Sequence, residues 1–446
     1  MTGAQDLAQF VASLSDADLP SDVRDRAALA VADTVGAIIA GSTTKPVRTL
    51  RKQYAAHDTG VASVLGTNAS VSVEHAATLN GIAGTVLELD EGHKRAAGHP
   101  AIHVLPAVLA VAEADDGSTR DMLTAFVAGY ETAARVAQAC QPLADGYHPH
   151  GVWGVVGAAA GVANYRELTV DTTAEALRIA ANHAQHTRFE AALEGATVRD
   201  TYAGMVAPTA IHAVDQAQAG FTGLTDGLRL HLESVASGAV KPILTTTLGD
   251  EWELLGGYFK IHAACRYAHP ALDAVDELAA ETDITPEAIT SVSVETYPAA
   301  AGLAEATPET RLAAKFSIPF AIATRLVHGH AGKDAFEPDA LRAEVYDLSR
   351  HVTVEATETF AAATPESRGA RVTVVHEGAT LSATVEHARG GAVRPFDEPR
   401  LREKFDSLVT PVLGASNADS AWSTVRLRAT TDVRTLCETL TPESTG

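Results

Sequence analysis

Cysteine is scarce in this chain: Cys140, Cys265 and Cys437 stand far apart, with no Cys-x-x-Cys pair. That excludes a disulfide scaffold and a four-cysteine zinc site, and it argues against an iron–sulfur cluster held by these cysteines. Lysine is also rare, with eight against 26 arginines. Aromatic residues make up only 5%. No long hydrophobic run is present, since the most apolar segment, 27–40, is interrupted by Asp33 and is too short to span a bilayer. The first ten residues lack a basic stretch and a long apolar core, so no signal peptide is read there. These absences predict a cytoplasmic protein with no membrane partner. Gly-x-Gly-x-x-Gly, phosphate-loop, His-Glu-x-x-His and Gly-x-Ser-x-Gly patterns are missing too, which removes support for nucleotide binding, a zincin or a serine hydrolase. The 18 histidines leave a metal site open as an alternative, although no spacing among them is specific for one and none is expected.

What is there suits a two-domain enzyme. The 446 residues exceed one ordinary core, and the 46% hydrophobic fraction is ample for two. Abundant alanine and glycine favour helices packed at close range. The net charge of −22 makes nucleic acid an unsuitable partner, and such an acidic, lysine-poor surface suits concentrated salt.

The first half reads as successive helices: one capped by Ser21 and ended by Gly41, then 73–89, 106–114, 122–139 capped by Ser118, 151–164 and 173–186. From about residue 258 the pattern changes. Residues 291–297 alternate with period two, 371–376 and 379–385 flank Glu377-Gly378 as a hairpin, and 351–356 offers a further strand. Helices are expected at 270–281 and 315–327, then at 398–412 and 420–440. The predicted fold class is mainly α with an inserted α+β domain: a helical domain from 1–258 and 392–446, and an α+β lid from 259–391. A cleft is expected at their boundary.

Five polar islands could carry chemistry. Glu88-Leu89-Asp90-Glu91-Gly92-His93, followed by Gly98-His99-Pro100, gathers three acids and two histidines, groups that shift one another's pKa for proton transfer. Gly146–Gly154 contains His148 and His150 before a Gly/Ala-rich helix, where the dipole favours neutral imidazole and the amides suit an anion. Arg199, near Asp200 and Tyr202, could grip a carboxylate with two parallel hydrogen bonds. Lys260–Pro270 sets Lys260, His262, Arg266 and His269 beside a helix start. Lys315-Phe316-Ser317-Ile318-Pro319-Phe320 is the fifth. The structural alternatives are a solvated loop, capping histidines, surface ion pairs and a helix cap.

Taken together and in order, these islands resemble the MmgE/PrpD family, which includes 2-methylcitrate dehydratase, cis-aconitate decarboxylase and iminodisuccinate epimerase. The similarity runs from Leu7 to about Leu413. Leu87–Pro100 approximates the LDxDDxH…HP signature, and Gly146–Ala160 meets G-[aromatic]-H-x-x-G…GAAA. Lys260–Pro270 meets K-x-x-x-x-C-R-x-x-HP, and Lys315–Phe320 meets KFS-x-P-[YF]. The resemblance implies a helical domain with a smaller α+β lid, a homodimer, no cofactor, and acids and histidines that shuttle protons on a di- or tricarboxylate held by cations. The chain departs from the pattern at several positions. Glu88 stands where aspartate is usual, and one residue is inserted before His99. Gly92 stands where threonine is frequent, and His150 replaces a threonine two residues after His148. Arg199 replaces a lysine, Tyr202 a histidine, and Phe320 a tyrosine implicated in proton transfer.

The expected activity is a cofactor-independent hydro-lyase that removes a proton α to a carboxylate and expels water, with 2-methylcitrate as default substrate. His99 and His148 are expected as the acid/base pair, with Asp90 or Glu88 orienting or sharing protons and Tyr202 replacing the donor lost at Phe320. Arg199, Lys260, Arg266, His269, His150 and Lys315 would bind the substrate. The alternatives are an epimerase of an amino- or imino-dicarboxylate, a cis-aconitate-type decarboxylase, and a non-catalytic binding protein on the same scaffold.

Overall fold

The computed structural model describes residues 3–442; Met1 and Thr2, which open the N-terminal stretch read above, lie outside it. The chain forms two compact units. One comprises Met1–Arg188, Asp200–Tyr258 and Asp397–Gly446, the other Phe189–Arg199 and Phe259–Phe396. The fold is mainly α with one α+β unit. No single helix among the described residues is long and apolar enough to cross a membrane.

The first unit is helical. Two of its helices, Pro100–Ala114 and Pro149–Tyr165, are buried along nearly their whole length. Their lack of a polar face is what a central helix requires. Pro149–Tyr165 packs on Thr119–Ala139, and glycine makes the approach possible. A Cβ on Gly157 would lie 2.4 Å from that of Ala133, and one on Gly129 would lie 2.8 Å from the Gly157 carbonyl oxygen. The helices Val73–Thr85 and Tyr202–Gln218 cross in the same way, at Gly81 and Gly204.

The second unit carries a four-stranded sheet in the order Val352–Ala356, Ile289–Thr296, Ala370–His376, Ala379–Val385. The first pair is parallel and the others antiparallel. Val292 lies opposite Val352 and Val374, which aligns buried valines across the sheet. Glu377 and Gly378 close the hairpin with φ of 51° and 77°, the two positive values of a tight hairpin turn. The helix His269–Glu281 packs against this sheet.

Several boundaries differ from those read in the sequence. Ser21 is the first helical residue, not the cap, and Pro20 precedes it. The helix expected to reach residue 89 stops at Thr85, and the chain turns so that Glu88 takes φ 55°. Lys315 ends a short helix, Arg311–Lys315, and Ser317 caps the next, Ile318–His328, by accepting from the Phe320 N–H. The last predicted helix is two, Ala415–Val425 and Val433–Thr439.

Candidate active site

The acidic loop Val86–Gly98 is folded inward in the helical unit, and Glu88, Asp90, Glu91 and His93 are all buried. Three devices hold it. Gly92-His93 pairs antiparallel with Gly257-Tyr258. A Cβ on Gly92 would lie 2.4 Å from the Tyr258 hydroxyl, and one on Gly98 would lie 2.5 Å from the Trp153 ring, so both glycines are required by close approach. From the helix Glu398–Leu413, Lys404 donates to the Leu89 carbonyl at 2.6 Å and also to Asp33.

His99 precedes the helix Pro100–Ala114. Its Nδ1 lies 2.7 Å from the Glu91 carbonyl oxygen and 3.1 Å from Asp90 Oδ2. A carbonyl can only accept, so Nδ1 carries the proton and the neutral ring presents its lone pair at Nε2. No hydrogen bond engages His99 Nε2 among the described residues. A carboxylate beside Nδ1 stabilises the imidazolium that forms when Nε2 takes a proton.

His148 is the N-cap of Pro149–Tyr165, and its Nδ1 accepts from the His150 N–H at 3.3 Å. That contact places the neutral ring's proton on Nε2, the opposite tautomer from His99. Thr187 fixes the turn, accepting at its carbonyl from His148 N–H (2.7 Å) and donating its hydroxyl to the His148 carbonyl (2.9 Å). Tyr202 packs its ring 5.3 Å from His148, while its hydroxyl donates to the Arg188 carbonyl at 3.2 Å. His150 lies edge-on to both His99 and His148.

Behind this group, Glu91 accepts from the Tyr130 hydroxyl at 2.6 Å and from the Ala101 N–H at 3.2 Å. Burial pushes its carboxyl up to about 8, against the pull of those donors and of Arg26. The Tyr130 hydroxyl is itself driven well above its ordinary value by burial and by Glu91.

The remaining candidates lie in the second unit. Arg199, Lys260 and Lys315 are each buried to 2% exposure or less, an unusual state for cations. Arg199 sits over the Phe316 ring at 5.4 Å. Arg266 donates to the Ala388 carbonyl at 3.1 Å and to His269 Nδ1 at 3.3 Å. With Nδ1 accepting and Nε2 3.2 Å from the Ala264 carbonyl oxygen, His269 is held neutral; burial and the neighbouring cations push its pKa well down. Phe320 lies in the core against Tyr346. The structure thus gathers Asp90, His99, His148, His150 and Tyr202 in one unit, with Glu88 on the same loop. Arg199, Lys260, Arg266, His269 and Lys315 lie in the other.

His262, Asp273 and Asp276 bring their ligand atoms within 4.8 Å of one another, a spacing that suits a cation. Arginine already takes that part: Arg389 donates to Asp273 at 2.9 Å and to Asp276, and Arg325 donates to Asp276. The triad forms an ion-pair network.

His103 escaped the sequence reading, although it follows His99 by one helical turn and the i, i+4 spacing was visible. It is fully buried against His150 and Trp153. Glu91 is one of the three acids of the first island, and only its burial against Tyr130 distinguishes it.

Comparison with known proteins bears on this arrangement. Residues 5–230 match the MmgE/PrpD N-terminal domain, and residues 262–427 match the MmgE/PrpD C-terminal domain. The chain is 28% identical to the cis-aconitate decarboxylase-like protein oryM of Aspergillus oryzae, over 98% of this chain and 97% of that protein. It is 24% identical to a cis-aconitate decarboxylase of Aspergillus terreus, over 98% and 95%. The human cis-aconitate decarboxylase matches at 27% over 49% of this chain and 47% of its own.

Proposed function

The chain belongs to the MmgE/PrpD family, and from that premise we propose that it is a lyase acting on a small di- or tricarboxylate by proton transfer at the carbon next to a carboxylate. The observation that carries this is the pair of complementary tautomers. His99 offers a lone pair at Nε2 with Asp90 behind it, and His148 offers a donor at Nε2. Elimination needs both at once: a base for the α-proton and a donor for the departing hydroxyl. Asp90 orients His99 and stabilises its charged form. Tyr202 holds the His148 ring in place. Within the second unit, Arg199, Lys260 and Lys315 are buried cations of the kind that bind carboxylates. Arg266 and His269 position one another.

In this reading the reaction is dehydration of a hydroxy acid such as 2-methylcitrate. A second reading, decarboxylation of a cis-aconitate-like acid, is favoured by the names of the relatives.

The test is proton NMR of the purified protein in deuterated high-salt buffer, with 2-methylcitrate, citrate, cis-aconitate and N-substituted aspartates. New vinyl signals from citrate, or an allylic methyl singlet replacing the methyl doublet of 2-methylcitrate, support dehydration, and vinyl product with carbon dioxide from cis-aconitate supports decarboxylation. Loss of an α-proton with no unsaturated product indicates an epimerase. Replacing His99 or His148 with alanine is expected to cost at least about a hundredfold in turnover. Unchanged rates in both variants would refute the assignment.

A further inference from the structure

Four buried histidines form one patch in the helical unit, and His150 is their common neighbour. Its ring meets that of His148 at 4.4 Å between centroids, His103 at 4.6 Å and His99 at 5.0 Å, all edge to face. None of the four is more than 8% exposed. The groups facing His150 come from three places: His99 with Asp90 from the loop, His103 from the next helix, and His148 from the cap of its own. At such separations, ring rotation brings nitrogen toward nitrogen at hydrogen-bonding range. The proton that His99 takes up must leave before the next turnover, and in a water-poor site an adjacent imidazole is the natural acceptor.

We propose that His150 is a proton-relay residue that connects His99 to His148; this rests on the reading of those two as base and donor. The α C–H bond breaks, its electron pair stays on carbon, and the proton forms the Nε2–H bond of His99. The C–O bond then breaks as the new double bond forms, and the hydroxyl leaves with the Nε2 proton of His148 as water. His99 passes its added proton to one nitrogen of His150, while the other nitrogen of His150 gives its proton to His148. One water is lost, and each ring regains its starting proton count. His150 finishes as its other tautomer, which ring rotation resets.

The experiment compares wild type, His150→Thr and His150→Gln with the substrate found by the NMR panel. It measures unsaturated product by rapid quench and in the steady state, with kcat/KM and Tm. In wild type, product should form without a burst. In both variants kcat/KM and Tm should hold while kcat falls about a hundredfold. A burst of about one product per active site should precede the slow phase, because His99 and His148 start in their working protonation states and only their reset is lost. A purely structural role slows the first turnover and the steady state alike. Turnover near wild type in either folded variant, or a first turnover slowed as much as the steady state, overturns the relay. If the threonine variant melts early, the glutamine variant decides. A wild type that neither exchanges nor forms product with any carboxylate overturns the lyase reading itself, and the relay with it.

Discussion

Glu91 gives a test of the buried site that needs no substrate. Its carboxyl is 1% exposed, and burial lifts it from the ordinary 4.5 to about 8. A carboxyl raised on folding binds its proton more tightly in the native than in the unfolded chain. Its contribution to stability is therefore complete below about 4.5 and is lost as pH rises through about 8. The gap between 4.5 and about 8 corresponds to at most about 5 kcal/mol. Relaxation around the charge makes about 3 kcal/mol the working figure. Glu131, raised by burial to about 7, adds to the same decline. Glu91→Gln isolates the Glu91 share. The amide oxygen keeps the Tyr130 hydrogen bond, but its NH2 faces the Ala101 N–H, at a cost of about 1 kcal/mol. The variant should therefore be about 1 kcal/mol less stable than wild type near pH 5 and about 2 kcal/mol more stable near pH 9, with the curves crossing between. Urea unfolding followed by tryptophan fluorescence reads this directly, because Trp153, Trp252 and Trp422 all lie in the helical unit. Parallel curves across that range, or a wild type that gains stability with rising pH, would refute the reasoning.

Three other outcomes follow from the geometry. Asp90→Asn should slow turnover by about 10- to 100-fold, the scale on which a nearby opposite charge favours an ionised group; the Glu91 carbonyl still holds the tautomer, so a 10,000-fold fall, measured as kcat, would contradict that geometry. Asp273 is buried, yet His262 and Arg389 hold its carboxyl down to about 2, so its contribution is present above the ordinary 3.8 and lost as pH falls toward 2. Asp273→Ala should cost about 3 kcal/mol in the α+β unit, while zinc or a chelator should leave the Tm of wild type unchanged; a metal-dependent shift in calorimetry would show that the arginines do not fill the cluster. Gly204→Ala places a Cβ 2.4 Å from the Thr78 carbonyl oxygen, and chemical denaturation should show a loss of about 1–3 kcal/mol.

The hairpin at residues 370–385 was legible because alternation and a two-residue turn signal coincide there, and the long helices were legible from their periodicity. The turn after Thr85 was not, since Val86, Leu87 and Leu89 prolong an apolar pattern while the chain leaves the helix. What decides that turn is remote: Lys404, Tyr258 and Trp153 shape the loop from distant parts of the chain. The histidines themselves could be named from the sequence. Their tautomers could not, because each depends on a backbone group whose position only the fold supplies. Arg266 shows the reverse case. As a cation among histidines it reads as a carboxylate binder, but its guanidinium reaches the Ala388 carbonyl and His269.

The bond from Lys404 to the Leu89 carbonyl spans 315 residues of sequence. During synthesis the acidic loop emerges early, and its lysine clamp leaves the ribosome about 15–60 s later at ordinary elongation rates. Throughout that interval Asp33 and the Leu89 carbonyl lack Lys404, while the whole α+β unit is made and can fold as an insertion. A chain truncated before the helix Glu398–Leu413 would keep both histidines and lose the lysine that ties the acidic loop at Leu89. Completion of the acidic loop is thus coupled to synthesis of a helix near the far end of the chain.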